Sequence, residues 1–398
     1  MTETFNFSDK AKKILLGLIA IGILGLILGF VLYSDNNRVW ANLLLNGYYF
    51  LGITLAAIFF VSVHQVGYSG WHVLIKRIPE AMGAFIPFAS AVILLIVIGT
   101  AAGFHTLYEW AVPGVTDPNS DNYDSIIAGK APYLNIPFFT IRIVIYIILW
   151  IALITFIRKL SQKEDLVGVS IYGKSKLYAT LFLVVFAITS STMSWDLVMS
   201  IDSHWYSTLF GWLNFSSYLV ASVAIMILIL IYLKSRGYMS AVNENHLHDL
   251  GKYLFGFSIF YTYLWFSQYL LIWYGNIPEA TYYYYYRFKT PFFQILFFAS
   301  LIINFILPFF VLMTRKSKRR VNVLAFVSIM LLIGHWIGFY FMIMPGTVGP
   351  EASIGIVEIF MAIGFFAAFF FIALRALTTT SLLPVNNPYV KESLKHHT

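Results

Sequence analysis

Long apolar runs alternate with short polar gaps along this chain. Ten runs are about twenty residues long, which is enough for a helix to cross the hydrocarbon layer at ~1.5 Å per residue. The longest gap, 105–137, is too short to build a core of its own. The pattern predicts an all-α membrane protein, a single polytopic domain over 1–398 with about ten transmembrane helices, at residues 12–33, 40–64, 82–104, 138–158, 176–194, 211–233, 250–273, 292–314, 322–344 and 354–378.

Composition agrees with this architecture, since 59% of the residues are hydrophobic and only 11% are charged. Lysine and arginine also concentrate on one side. With a cytoplasmic N-terminus, the cytoplasmic segments hold all but five of the 26 basic residues, the exceptions being Arg38, Lys130, Arg142, Arg287 and Lys289. This positive-inside bias predicts that both termini are cytoplasmic. Anionic lipid accounts for the net charge of +8, so no nucleic-acid partner is expected.

The absence of cysteine excludes several kinds of redox chemistry in this chain. Neither an iron–sulfur cluster on cysteine ligands nor a covalently attached haem can form. A non-covalent haem would need two histidines at similar depth, but the histidines fall at different depths. The acidic residues are scattered along the chain rather than clustered with histidine, as a metal site would require. We therefore predict no covalently bound cofactor and no metal site.

One set of polar residues falls toward the outer ends of the predicted helices. A quinone head group at a membrane surface needs hydrogen-bond partners, a base for each proton lost on oxidation, and flat aromatic walls. Interfacial belt residues and charges that simply face water are the alternative interpretation. The members of this outer polar cluster are His105, Glu109, Arg142, Asp196, Asp202 and His204.

Arg142 and Glu358 each fall about one turn inside a predicted span. An unpaired charge at that depth costs ~2 to 3 kcal/mol, so each side chain should have a partner. We expect Arg142 to pair with Asp196 or Glu109, and Glu358 to pair with His335 or a polar helix residue. Snorkelling to the interface is the alternative for both.

A second set of residues could carry protons. The segment from His64 to Glu80 faces the cytoplasm, and its apolar positions predict a short amphipathic stretch along the inner surface. An imidazole at mid-bilayer is rare and titrates near neutrality, which singles out His335. The alternative is an interfacial helix with no role in proton transfer. The proton-path candidates are His64, His72, Glu80, His335 and Glu358.

Five consecutive tyrosines, Tyr282–Tyr286, fall in an outer loop. An apolar ring with a polar tip suits either an interfacial belt or a docking surface for an extracytoplasmic partner.

Two segments carry a family resemblance. The stretch Ser194–Trp212, which reads SWDLVMSIDSHWYSTLFGW, and the stretch from Gly70-Trp71-His72 to Glu80-Ala81-Met82 occur here with about ten spans. This combination resembles the NrfD-like membrane subunits of alternative complex III, which are related to the membrane subunit of polysulfide reductase. The length is similar to the shorter, ActF-type subunit.

The resemblance implies two four-helix bundles, spans two to five and six to nine, with two peripheral helices. It further implies a quinol-oxidising complex of a bacterial inner membrane, with quinol or menaquinol as substrate. Iron–sulfur clusters and haem c would lie in extracytoplasmic partner subunits. Other expected partners are a homologous NrfD-like subunit, lipids and a terminal oxidase. Asp196, Asp202 and His204 would either touch quinol or line a proton route.

Two other classes of function fit the same sequence. A proton-coupled secondary transporter would also keep His335 and Glu358 in the membrane, although broken helices at matching places in two halves are not evident. A structural scaffold without catalytic groups would pair its buried charges and bind redox partners through its outer loops.

Overall fold

The computed structural model describes residues 3–397. These residues form helices and connecting turns, with no strand and one isolated bridge between Thr4 and Ser381. Eight helical stretches are long and apolar enough to cross a membrane. The chain is therefore an all-α, multi-pass membrane protein.

Fifteen α-helices occur in the described range. Their bounds are α1 Asp9–Leu32, α2 Asn37–Val66, α3 Arg77–Met82, α4 Ile86–Ala102, α5 Ser125–Lys130, α6 Ile136–Val167, α7 Tyr172–Leu197, α8 Leu209–Ser235, α9 Glu244–Gly275, α10 Pro278–Arg287, α11 Pro291–Leu301, α12 Leu307–Leu312, α13 Val321–Val348, α14 Ile356–Leu377 and α15 Val390–Leu394. A π-helical turn, Ile302–Ile306, joins α11 to α12. Short 3-10 turns, including Trp71–Ile75 before α3, complete the connections.

Every predicted span falls on a helix, but the helices and the eight apolar stretches do not correspond one to one. Residues 136–201 count as one stretch although they contain both α6 and α7. Helix α9 is absent from the eight. Its first turns are polar, and Asn243 caps them by accepting hydrogen bonds from the backbone N–H groups of Asn245 and His246.

Helices α2 and α8 lie at the centre of the molecule. In their most apolar stretches 94% and 83% of the residues are buried inside the chain. Helix α2 packs against α4, α7, α8 and α13, while α8 packs against α7, α9 and α13. Helix α6 fills the space between α4 and α7, and α11 with α12 packs against α13 and α9. The central helices are therefore covered by protein rather than by lipid.

The molecule has two distinct ends. Residues 3–8, the loop 67–76 and the segment 379–397 meet at one end, which we call the tail end. There the Leu382 N–H donates to the Glu3 carbonyl at 2.8 Å, and the Asn387 amide donates to Glu164 at 3.0 Å. The loops 103–135, 198–208 and 276–290 meet at the opposite end, called the cleft end.

Helices α1 and α14 form a pair at the edge of the array. Only 11% of the most apolar stretch of α1 is buried inside the chain, and its main neighbour is α14. A Cβ atom on Gly22 would lie 2.4 Å from the Cα of Gly364. Such close backbone approach is the usual way for helices to associate where lipid competes for every apolar surface.

The glycine contact predicts that Gly22→Val will push α1 away from α14. We expect a loss of about 1 to 3 kcal/mol from overpacking, seen as a lower midpoint of thermal unfolding in detergent. Gly17→Val is the control, because a Cβ at Gly17 meets nothing within 4 Å. Equal shifts in the two variants would show that the seam does not hold α1.

Candidate functional site

A cavity of about 520 Å³ opens at the cleft end. Its walls combine carboxylates, one imidazole and large aromatic rings, in a size range typical of small-molecule sites. It lies between the loop 103–135, the segment 198–208 and helix α10. We call it the cleft cavity, and its lining residues are Glu109, Ile126, Ile201, Asp202, Ser203, His204, Trp205, Pro278, Glu279, Tyr282, Tyr286 and Gly346.

Asp196 anchors the segment that leads into this cavity. It lies in the last turn of α7, fully buried, and accepts two hydrogen bonds from Arg142 of α6, at 2.8 Å and 3.1 Å. The guanidinium also donates to the Tyr133 carbonyl at 3.0 Å and stacks on the Tyr133 ring. Of the two partners expected for Arg142, Asp196 is confirmed and Glu109 is not.

Asp202 anchors the other end of the same segment. Its carboxylate accepts hydrogen bonds from Arg287, at 2.7 Å and 3.3 Å. Arg287 is fully buried in the last turn of α10, where it also donates to the carbonyls of Phe341 and Met342. Its guanidinium lies 3.5 Å from the centre of the Tyr283 ring, which in turn stacks on Trp205 at 4.0 Å.

His204 lies between two carboxylates at the cavity wall. Its Nε2 atom is 2.8 Å from Asp124, and its Nδ1 atom is 3.8 Å from Glu109. Asp124 caps α5 by accepting hydrogen bonds from the backbone N–H groups of Ile126 and Ile127. The Ile127 N–H, and after it His204, lower the pKa of Asp124, whereas partial burial raises the pKa of Glu109.

The contact with Asp124 fixes the role of one imidazole nitrogen. An ionised carboxylate only accepts hydrogen bonds, so the Nε2 atom that faces Asp124 must carry hydrogen. In a neutral imidazole Nδ1 is then the acceptor, and it lies on the side of Glu109. A neutral His204 therefore has its free lone pair on Nδ1, 3.8 Å from Glu109, whereas a protonated His204 donates from both nitrogens to the two carboxylates.

His105 does not join the outer polar cluster. Its ring is buried against Trp40, with centroids 4.8 Å apart, and its Nε2 atom is 3.1 Å from the Ile96 carbonyl. Gly103, with φ +70°, ends α4 and turns the chain back so that His105 packs under its own helix. The cluster therefore divides into His105 alone, the Arg142–Asp196 pair, and the cavity group of Glu109, Asp202 and His204.

Glu358 pairs with Arg38 of α2, which was not among the partners expected from the sequence. Its Oε1 atom accepts from Arg38 at 2.8 Å and from Asn42 at 3.0 Å, and its Oε2 atom accepts from the Gly355 N–H. The prediction that Glu358 pairs with His335 is wrong. The alternative prediction, a polar residue on a helix, is confirmed by the contact with Asn42. Glu358 therefore joins the start of α14 to the start of α2.

Two proton-path candidates meet at the tail end. The His64 and His72 rings lie 4.8 Å apart, and His64 Nε2 is 2.9 Å from the Tyr253 hydroxyl. Burial, with the nearby His64 and Lys76, lowers the pKa of His72 well below its usual value. Glu80 is separate, since it pairs with Arg77 at 2.9 Å and accepts from Ser161 at 2.6 Å.

His335 lies in the middle of α13 and is fully buried. Its Nδ1 atom is 2.8 Å from the Ser217 hydroxyl of α8, and the Tyr261 ring meets it edge-on at 4.6 Å. Toward the cleft end, the Tyr48 hydroxyl lies 2.9 Å from Ser194 and 3.1 Å from Asn214. Polar groups thus recur at several depths within the central helices.

Three residues of these sites were missed by sequence reasoning. Asp124 is one of several acidic residues in a polar loop, and only its place before the helix-forming Ser-Ile-Ile marks it as a cap. Arg287 follows the tyrosine run and was considered only as one of the basic residues on the outer side. Arg38 fell among the five basic residues outside the positive-inside pattern, and that exception was the available signal.

Comparisons with known proteins add no identification. No family model matches the chain, and no curated protein matches it. Within residues 3–397, no group of three or more histidine, aspartate or glutamate side chains is placed to hold a metal ion. The assignment of a function consequently depends on the geometry of the cleft cavity and on the resemblance of the sequence segments.

Arg142→Met should destabilise the protein by about 3 to 5 kcal/mol, because it leaves the Asp196 carboxylate buried without a partner. Adding Asp196→Asn should recover part of the loss by removing the buried charge. Unfolding in denaturant measures both effects. Arg375→Met is the control, since Arg375 is exposed. A double variant no more stable than Arg142→Met would contradict the pairing.

Proposed function

We propose that the chain is an integral membrane subunit of a respiratory quinol-oxidising assembly of the alternative complex III kind, and that the cleft cavity takes the quinol head group. The observation that carries this proposal is the Asp124–His204–Glu109 arrangement at the cavity wall. A base of known orientation, a second carboxylate and aromatic walls are what quinol oxidation at a membrane surface needs.

The division of labour follows from the chemistry. Oxidation of one quinol to quinone releases two electrons and two protons. The Nδ1 atom of His204 accepts the first proton from a quinol hydroxyl, and Glu109 beside it takes the second. The two electrons would go to iron–sulfur clusters and haem c held by neighbouring subunits, because this chain has no cysteine to hold such centres.

Aromatic residues supply the rest of the binding site. Trp205, Tyr282 and Tyr286 line the cavity beside His204. Their flat faces suit stacking on a quinone ring. Tyr282 and Tyr285 are exposed on α10 and would meet an extracytoplasmic partner subunit, while Tyr283 and Tyr284 are buried and fix the helix to the rest of the chain.

The membrane arrangement belongs to the same proposal. The tail end, with most of the basic residues, faces the cytoplasm of a bacterial inner membrane, and the cleft end faces outward. Ten helical segments then cross the bilayer. Helices α2, α4, α6 and α7 form one four-helix bundle, and α8, α9, α11 with α12, and α13 form the other. Helices α1 and α14 stand outside both and face lipid or a homologous subunit.

A proton-path role for the interior extends this proposal. His64 and His72 stand at the tail end, and the His335–Ser217 and Tyr48–Ser194–Asn214 groups occur at successive depths toward the cleft end. Imidazoles and hydroxyls can pass protons when they are linked by hydrogen bonds. The Asp196 and Glu358 ion pairs lie near the cleft end of this series.

A proton-coupled transporter is the second candidate. The observation that favours it is the π-helical turn Ile302–Ile306, which contains the buried Asn304 and interrupts the α-helical pattern between α11 and α12. Interrupted helices commonly form transporter binding sites. Helix α6, which holds the corresponding place among the first four, is uninterrupted. Substrate uptake by vesicles that contain only this chain would favour the transporter.

His204→Asn should lower quinol turnover by about 10²- to 10⁴-fold, the usual contribution of a positioned base. The measurement is quinol-dependent reduction of a soluble acceptor by the purified assembly, with subunit content checked. Asp124→Asn should lower turnover less, because the base remains but loses its orientation. His397→Asn, at the exposed tail, is the control. Normal turnover in an intact assembly with His204→Asn would remove this chain from the quinol site.

A further inference from the structure

A groove opens at the tail end between α1, α8 and α14. Its volume is about 440 Å³. Apolar side chains form its walls, and two cationic side chains, Lys10 and Arg236, stand at its rim. The groove is thus distinct from the cleft cavity in position, in elements and in polarity. Its lining residues are Lys10, Ala11, Ile14, Leu15, Leu228, Ile229, Tyr232, Arg236, Phe370 and Leu374.

Polarity changes in one direction along this groove. Arg236 caps the end of α8, whereas Leu228 lies eight residues earlier, about 12 Å along the helix axis at ~1.5 Å per residue. Lys10 likewise lies one turn outside Ile14 on α1. The cations therefore stand at the surface end of the groove, and the apolar walls run toward the middle of the helix array.

The two cations are available to a ligand. Lys10 and Arg236 are both exposed, and no carboxylate lies within ion-pair distance of either among residues 3–397. Asp9 is the nearby acid on α1, and it pairs with Lys12 at 2.9 Å. Arg236 lies 5.6 Å from the centre of the Tyr232 ring, which keeps the guanidinium over the groove rim.

The polypeptide itself gives the groove a fixed shape. Phe5 packs edge-on against Tyr232 and Tyr238, and the Asn6 N–H donates to the Tyr238 hydroxyl at 3.2 Å. Phe7 contacts Phe371 of α14, with ring centroids 5.7 Å apart. These contacts fasten the residues before α1 across the ends of α8 and α14, so the three walls are held together at the rim.

We infer that this groove binds one anionic phospholipid, with its phosphate between Lys10 and Arg236 and one acyl chain along the apolar walls. A phospholipid carries its charge at one end and its hydrocarbon chains at the other, which matches the arrangement of cations and apolar walls along the groove. Basic residues at a membrane surface attract anionic lipid, and the N-terminal end of α1 adds a partial positive charge. The site joins α1, whose main packed neighbour is α14, to α8 as well.

The test uses the full-length chain in lipid nanodiscs that contain phosphatidylglycerol and phosphatidylcholine with identical acyl chains. Native mass spectrometry then counts the lipid molecules that stay bound to the protein after it is released from the nanodisc. We expect one phosphatidylglycerol per chain, retained roughly 30-fold over phosphatidylcholine, which is the factor that two basic residues supply. The double variant Lys10→Gln/Arg236→Gln should abolish this preference.

Matched variants separate the groove from general surface charge. Lys13→Gln/Lys316→Gln removes two exposed cations that do not line the groove, and it should leave the preference intact. Leu228→Trp fills the apolar wall and should lower retention of both lipids. Thermal unfolding confirms that each variant is folded.

Three outcomes would overturn the inference. Equal retention of the two lipids would show that the phosphate end is not selected by charge. An equal loss in the control double variant would show that the preference for phosphatidylglycerol comes from the charge of the whole surface rather than from the groove. Displacement by added inorganic phosphate, together with no effect of Leu228→Trp, would make the site one for a soluble anion. None of these results bears on quinol turnover at the cleft cavity.

Discussion

Two buried arginine–aspartate pairs determine the shape of the cleft end. Asp196 and Asp202 stand at the two ends of one short segment, and their partners Arg142 and Arg287 come from helices on opposite sides of it. A buried carboxylate without its partner costs several kcal/mol, so neither end of the segment can move independently. The wall that carries His204 follows directly after this fixed segment, and the position of the base depends on both pairs.

Helix positions could be predicted from hydropathy because burial in lipid requires long apolar runs whose backbone bonds are satisfied within the helix. The ends of the helices could not be predicted in this way. A polar turn such as the start of α9 is stabilised by a cap and contributes nothing to a count of apolar residues. The partition of charge into loops gave the orientation that we propose, but it could not indicate that Arg38 would pair with Glu358 across the array.

The candidate site was predictable only in part. Arg142 lies inside a predicted span, where an unpaired charge is costly, so a partner could be predicted for it. Asp196, at the matching depth, is that partner. The path of the loop 103–135 decides which side chains meet at the cavity, and no periodic pattern encodes that path. His105 and Glu109 are four residues apart, yet one lies beneath α4 and the other lines the cavity. Asp124 caps the six-residue helix α5 and also reaches His204.

The close packing of Gly22 against Gly364 joins the first long helix to the last. A ribosome that adds ~5 to 20 residues per second needs on the order of tens of seconds to make the chain between them. During that interval α1 lies in the bilayer without α14. The helix can do so because its surface is apolar on every side. Closure of the molecule is therefore a late event in biogenesis, and a chain that stops before α14 leaves its first helix without its main packing partner.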